Sequence, residues 1–367
     1  MRFSHLVGTG VFVILPSDRM QQVVINGSVS SPQPVISGVP QGSILGPLLF
    51  ILFIDDISET ISAGTELVLY ADDTKIWREI MCDEDQKILQ NDIDSLHKWS
   101  VDNMMQFHQD KCKVVRITNK HTNFDLPFYE FWYTLNGKVL DYEISEKDLG
   151  VIIHSKLSWA EHCASLIGKA NNQLGLVRRT CYFMNDKNER RSLYISLVRS
   201  IFEHCCQVWA PQDLKSLDAF DLLQRRAVKW ILKESHISYS DENFLIKQRD
   251  LDLLPIKHKF IFSDLTLFHK IVYKNVQIEL PNYVIRIESQ DIKYTTRSNI
   301  LISKGTDNLR FKCNTLPIIN AFKNSFFVRT LKNWNELPHS LREIECPDKF
   351  SLALKDHLWL ILGFEPD

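Results

Sequence analysis

Two adjacent carboxylates, Asp72 and Asp73, sit between two runs of strand-forming residues, Leu67-Val-Leu-Tyr-Ala71 and Thr74-Lys-Ile-Trp77. Read as a β-hairpin, this stretch lifts a pair of acids onto the tip of a turn. Consecutive strand residues point to opposite faces, but a tight turn relaxes that rule and lets both acids approach one site. Paired carboxylates in such a place suit a hard divalent cation such as Mg2+. The same residues also read as a solvated Asp-Asp turn between strands. A second stretch bears on the choice. In Gly38-Val-Pro-Gln-Gly-Ser43, Gly38, Pro40 and Gly42 allow a compact loop with backbone open to a ligand, and Ser43 can cap the helix that follows. Leu45, Leu48, Leu49 and Leu52 are expected on the buried face of that helix, with Asp55 and Asp56 as caps at its end. The glycine spacing is that of neither a P-loop nor a dinucleotide fingerprint.

The elements around these residues are legible from period and punctuation. Gln21–Ile25 is β-prone and Asn26-Gly27 is a hairpin signal, while Pro32 and Pro34 reduce the returning segment to an edge strand or extended arm. Asp83 to Met104 reads as an amphipathic helix, capped by Asp83 and Gln86, with Leu89, Ile93, Leu96 and Trp99 in one stripe. A hairpin is expected around Asn136-Gly137. From Trp159 the period becomes helical. Three helices are expected, carrying Cys163, Ile167, Ala170, Leu174 and Val177; then Leu193, Leu197, Ile201 and Cys205; then Leu217, Phe220, Gln224, Ala227 and Ile231. An apolar helix follows from Lys257 to Tyr273, and Phe326, Phe327 and Trp334 read as core aromatics.

Bulk properties set limits. The chain has 367 residues, enough for two or three domains, and the composition of a soluble globular protein. It lacks an apolar run long enough to span a bilayer, so no membrane partner is expected. The apolar run Leu6–Leu15 is followed by no small-residue cleavage site, so the expected product is intracellular rather than secreted. The eight cysteines contain no C-x-x-C pair and are expected to be reduced and mostly buried; His204-Cys205-Cys206 has no second ligand pair to complete a zinc site. Net charge is −2, yet residues 1–150 carry about nine excess acids and the remainder about seven excess bases. An acidic metal-binding half followed by a basic half suits a protein that holds a phosphate backbone.

Gly38-Val-Pro-Gln-Gly-Ser-Ile-Leu-Gly-Pro-Leu-Leu-Phe50, followed by Tyr70-Ala-Asp-Asp73, resembles motifs B and C of the reverse transcriptases of non-LTR (LINE-type) retrotransposons. Asn103 to Val114 looks like motif D, with His108 where the family usually has Asn. Lys147 to Trp159 resembles the segment that closes the palm, with Leu149-Gly150 as the primer grip. Asn324 to Pro338 is similar to the family's S-F-F-x-R…W-N-x-L-P region.

The resemblance implies an α+β chain: the C-terminal half of a polymerase palm (antiparallel sheet with helices) at 1–158, an all-α thumb at 159–235, and a mainly helical C-terminal region at 236–367. It implies RNA-directed DNA polymerase chemistry on an RNA template, a DNA primer and deoxynucleotides, with Mg2+ in a two-metal site. Asp72 would be the direct metal ligand and Asp73 the supporting one, with Tyr70 and Ala71 keeping the turn compact beneath the primer end. Gln41 and Gly42 would lie along the templating pair, and Lys111 near the pyrophosphate. Arg178, Arg179, Arg190, Arg191, Arg225 and Arg226 would track a duplex backbone or simply face solvent. Nothing in Met1–Ser37 matches the family's motif A aspartate, and the fingers are not recognisable. The expectation is therefore a 5′-truncated reading frame whose product is not a competent polymerase alone. The competing expectations are a non-enzymatic nucleic-acid-binding remnant and a pseudogene product.

Overall fold

The computed structural model describes residues 20–35, 42–118, 131–234, 241–287, 309–316 and 319–364. Helix and strand are mixed, as an α+β chain requires. The chain divides into two compact units, Met1–Ile144 and Ser145–Asp367.

In the first unit the described strands form two-stranded pairs, where one antiparallel sheet was expected. Strands β1 (Met20–Gln21) and β4 (Gln33–Pro34) pair around an inner hairpin of β2 (Val24–Ile25) and β3 (Ser28–Val29). The expected Asn26-Gly27 turn joins β2 to β3, with both residues at positive φ. Helix α1 (Leu45–Ile54) begins where Ser43 Oγ accepts from the Gly46 amide at 2.9 Å, and runs into a 3-10 turn at Asp55–Thr60. Its buried face differs from the expected one. Gly46, Leu49 and Ile54 are covered, whereas Leu45, Leu48 and Leu52 are half exposed. A helix apolar on every side carries no period that selects a face.

Strands β5 (Thr65–Tyr70) and β6 (Asp73–Arg78) then form the central hairpin, and α2 (Asp83–Asp102) follows. The α2 stripe lies as expected, with Leu96 and Trp99 buried and Leu89 and Ile93 partly so. Its cap sits one residue earlier than expected: Cys82 is the N-cap, and Asp85 reaches back to the Met81 and Cys82 amides. Asp56 is not a cap, since its carboxylate accepts from the Trp99 indole at 2.9 Å. Beyond a 3-10 turn at Gln109–Lys111, β7 (Lys113–Val115) pairs in parallel with β10 (Asp141–Glu143). Between them lies the expected hairpin of β8 (Thr134–Leu135) and β9 (Lys138–Val139) on Asn136-Gly137.

The second unit opens with a hairpin of β11 (Ser145–Asp148) and β12 (Val151–His154), then helix α3 (Ala160–Thr180), which buries Cys163, Ala170, Leu174 and Val177 as expected, with Leu166 buried and Ile167 only partly so. Helix α4 (Lys187–Leu193) continues through a π-helical Tyr194–Arg199 into Ser200–Glu203. Here the expected stripe is off by one residue. Arg190, Tyr194, Val198 and Phe202 are buried, Leu197 is exposed, and Cys205 lies beyond the helix in a left-handed conformation. The observed stripe keeps the expected spacing of four but runs one residue later, and Arg190 and Tyr194 already follow it where the π-helical stretch begins.

Helices α5 (Cys206–Trp209), α6 (Leu214–Leu232), α7 (Asp241–Asp250) and α8 (Ile256–Val272) follow. One apolar core runs from Val151 through α3 and α6 to Phe244, Leu253 and Phe260, so it includes residues on both sides of 235. A second core gathers the far end of α8, the pair β13 (Val284–Arg286) and β14 (Phe311–Cys313), and Trp334, Phe350 and Trp359 from the helices beyond. Those are α9 (Asn320–Lys323), α10 (Phe326–Glu336), α11 (His339–Arg342) and α12 (Pro347–Ile361). All eight cysteines are free thiols, but only Cys163 and Cys206 are buried. Among the described residues, no helix is long and apolar enough to cross a membrane.

Candidate active site at the Asp72–Asp73 hairpin

The β5–β6 register pairs Tyr70 with Asp73, leaving Ala71 and Asp72 as the two-residue turn. Ala71 has φ +52°, the only positive φ in the turn, in the left-handed region that favours glycine. A non-glycine residue there costs on the order of 1–2 kcal/mol. The hairpin has to hold that conformation. It does so through strand alternation: Leu67, Leu69 and Ile76 face the core formed by Ile54, Ile57, Leu96 and Trp99, while Val68, Tyr70, Asp73 and Lys75 face outward. Asp73 thus stands on the outer face beside Tyr70, and Asp72 occupies the tip. Both are exposed, and neither carboxylate has a hydrogen-bond or ion-pair partner among the described residues.

The opposite end of the hairpin is clamped to α2 by polar groups that the sequence pattern did not single out. Asp92 is buried; its carboxylate accepts from the Ser62 amide at 2.8 Å, the Ser62 hydroxyl at 2.7 Å and the Thr65 hydroxyl at 2.6 Å. Arg78, opposite Thr65 in the register, donates to Thr65 Oγ1 at 3.2 Å, to the Ala63 carbonyl at 3.0 Å and to Asp85 at 3.2 Å. The Met81 amide, the Cys82 side chain and Arg78 together hold the Asp85 carboxyl below the usual carboxylate range. A signal was present: Asp85, Asp92 and Trp99 recur every seven residues, which places them on one side of α2.

Lys111 ends the 3-10 turn after α2 and is exposed, and its ammonium has no partner among the described residues and so no ion pair to Asp72 or Asp73. Its neighbours differ. Lys113 pairs with Asp141 at 2.7 Å and Lys138 pairs with Asp110, and these lysines hold both carboxyls below their ordinary range. Gly42 is exposed at φ +79° with open space where a Cβ would stand; Gln41 lies outside the described residues.

In the second unit, Leu149 and Gly150 form the β11–β12 turn, both at positive φ. His204 covers that turn, with Nε2 3.3 Å from the Leu149 carbonyl and 3.4 Å from Cys205 Sγ. Arg178 and Arg179 are exposed at the end of α3. Arg225 is engaged by Asp221 at 2.9 Å and lies over the Phe244 ring, and Arg226 donates to Asn171 at 3.0 Å. Arg190 is buried, donating to the Trp230, Asn185 and Asp186 carbonyls, and Arg191 binds Asp252. The expected duplex track is therefore not a uniform row of solvent-facing guanidinium groups.

Adjacent, unpartnered carboxylates fit Mg2+, which keeps several waters and accepts one or two protein carboxylates together with substrate phosphates. Among the described residues no group of three His, Cys, Asp or Glu side chains is assembled to hold a metal ion.

The class that this hairpin suggests is met in the sequence comparisons: residues 10–150 match the family described as reverse transcriptase (RNA-dependent DNA polymerase). Tyr70–Asp73, Gly38–Phe50 and Asn103–Val114 all lie inside that match. Among curated proteins the chain is similar to the RNA-directed DNA polymerase from mobile element jockey of Drosophila melanogaster, 21% identical over 338 residues, 88% of this chain and 32% of the relative. It is also similar to the probable RNA-directed DNA polymerase from transposon BS of the same species, 25% identical over 234 residues, 60% of this chain and 25% of the relative. The jockey polymerase of Drosophila funebris is 32% identical over 155 residues, 40% of this chain and 16% of the relative. The chain thus spans a third or less of the length of these relatives. No solved structure matches it.

Proposed function

We propose that the Asp72–Asp73 hairpin is part of the nucleotidyl-transfer site of an RNA-directed DNA polymerase of a non-LTR retrotransposon. The observation that carries this reading is the pair of adjacent, exposed carboxylates without side-chain partners, Asp72 in the two-residue turn and Asp73 at the start of β6, within a segment matching reverse transcriptases. Asp72, at the tip, holds Mg2+ directly and Asp73 supports it; the ion supplies charge neutralisation for phosphoryl transfer. Tyr70 and Ala71 keep the turn compact beneath the primer end, and Gln41 and Gly42 line the templating pair. Lys111 neutralises charge on the departing pyrophosphate, a role open to it because its neighbouring lysines are the ones paired with acids. Leu149 and Gly150 serve as the primer grip. RNA template, DNA primer and deoxynucleotides are the partners, and residues 1–158, 159–235 and 236–367 act as partial palm, thumb and C-terminal region.

Two-metal transfer draws anionic ligands from more than one element, and the described residues gather no third carboxylate with Asp72 and Asp73. The 367-residue chain assayed alone with Mg2+ on a primed RNA template is therefore expected to give no extension. A segment bearing a further aspartate, added in trans, is expected to restore extension, and Asp72→Asn to abolish it again. Robust extension by the chain alone would refute its incompetence; restored extension indifferent to Asp72→Asn would refute the role of Asp72. A second reading, nucleic-acid binding without catalysis, is favoured by the excess of bases after residue 150.

A further inference from the structure

The end of α3 and the loop after it form a surface unlike the rest of the second unit. From His162 to Asn185 the chain contains no Asp or Glu, while it carries Lys169, Arg178 and Arg179. Arg178 and Arg179 are exposed, and neither meets an acidic side chain among the described residues. Immediately beyond them Tyr182 and Phe183 are 76% and 67% exposed, set edge to face with ring centroids 5.8 Å apart. Every other described aromatic side chain of this unit is at least partly buried, so this pair is not spillover from the core.

The loop that presents the two rings is fixed from behind. Buried Arg190 donates to the Asn185 carbonyl at 3.1 Å and to the Asp186 carbonyl at 3.4 Å, and Lys233 bonds the Asn185 side chain. Asp186, the next acid in the sequence, accepts from the Asn188 and Glu189 amides as the N-cap of α4. Lys187 follows, exposed. Two presented rings beside unpaired guanidinium groups, on an acid-free stretch, give each ring a face to stack on and each phosphate a cation to meet. A duplex keeps its bases stacked inside, so rings of this kind serve unpaired bases.

We infer that Tyr182 and Phe183, with Arg178 and Arg179, form a binding site for single-stranded nucleic acid, the rings stacking on bases and the arginines holding phosphates. Fixing the loop in advance lowers the ordering cost of binding. The inference deepens the polymerase reading and rests on it only for the class of ligand.

The test is equilibrium binding of the full chain to a labelled oligouridylate of about 12 nucleotides, within the span such platforms cover, without metal or deoxynucleotide. A blunt duplex and phosphatidylserine vesicles serve as the comparison probes. Replacing both rings by leucine (Tyr182→Leu with Phe183→Leu) keeps apolar bulk and removes stacking; oligouridylate affinity is expected to fall about tenfold or more, with duplex affinity nearly unchanged. Tyr182→Trp with Phe183→Trp is expected to bind at least as tightly as the parent. Arg178→Ala with Arg179→Ala is expected to flatten the salt dependence by roughly 0.7 in log–log slope per lost phosphate contact. Leucine variants that bind oligouridylate like the parent, tryptophan variants that bind it worse, or a patch that engages vesicles or a second copy of the chain but not the oligonucleotide would each overturn the inference. Since no nucleotide is incorporated in this assay, its failure leaves the role of Asp72 standing, and failed extension leaves this site standing.

Discussion

The two units hold themselves together by different means. In the first, the described strands form separate pairs, the cores are small, and apolar side chains such as Ile44, Leu48, Ile51 and Tyr70 remain exposed. A two-stranded hairpin is marginal by itself, and β5–β6 relies on the polar clamp at Asp92, Arg78 and Asp85. In the second, Trp209, Trp334 and Trp359 are fully buried in two extended apolar cores, and the main polar tie is, like Asp92, buried. Arg329 grips Asp264 through two bonds of 2.8 and 2.9 Å and also donates to the Gln207 and Asn324 carbonyls, joining α10 to α8 and α5. Burial outweighs the arginine and leaves the Asp264 carboxyl raised above its ordinary value, so this pair fixes geometry more than it adds stability. The carboxylates proposed for chemistry therefore stand on the thinner frame. The bulk of the packing lies in the unit that carries the surface proposed for single strands.

This contrast can be broken at three points. The largest effect is expected from Arg329→Ala, which leaves Asp264 buried and unpaired. Urea unfolding monitored by tryptophan fluorescence should show a loss of about 3–5 kcal/mol, and a loss near zero would mean that the pair is not the tie described. Asp92→Ala is expected to cost about 1–3 kcal/mol, seen as faster hydrogen exchange of the β5 and β6 amides; unchanged protection there would show that Asp92 does not clamp the hairpin.

The smallest effect is one of pH. His162 Nδ1 accepts from the Ile152 amide at 3.2 Å, and burial pushes the imidazole down to about 4. In the unfolded chain the same group takes up its proton near the ordinary histidine value of about 6.5. The unfolded state thus binds more protons between those values, and stability present above the upper one falls as pH drops toward the lower. His258, His269 and His357 are lowered by burial in the same direction, so His162→Gln should weaken this acid-side slope without abolishing it. A slope identical in parent and variant would show that His162 does not contribute.

Part of this molecule is written locally. Asn26-Gly27 and Asn136-Gly137 appear as hairpin turns because their residues tolerate positive φ, a preference that depends on little beyond the dipeptide. The inner stripes of α2, α3 and α6 follow from helical spacing of apolar residues among polar ones. The hairpin at Asp72 was legible because the acids interrupt two strand-forming runs, though its turn residues are Ala71 and Asp72, and Asp73 already belongs to β6. Tertiary structure decided what such patterns leave degenerate. It chose Leu49 over Leu45, Leu48 and Leu52 on a helix apolar all round, and set the α4 stripe on Arg190, Tyr194, Val198 and Phe202, one residue away from the apolar series Leu193, Leu197 and Ile201. It also separated arginines that look alike in sequence: Arg190 is buried among carbonyls, Arg225 is tied to Asp221, and Arg178 and Arg179 are left to solvent. Asp92 became the hairpin's anchor only because Ser62 and Thr65, about thirty residues away, are folded onto it. Hydrogen bonds across such separations depend on the path of the chain, and no local period encodes them.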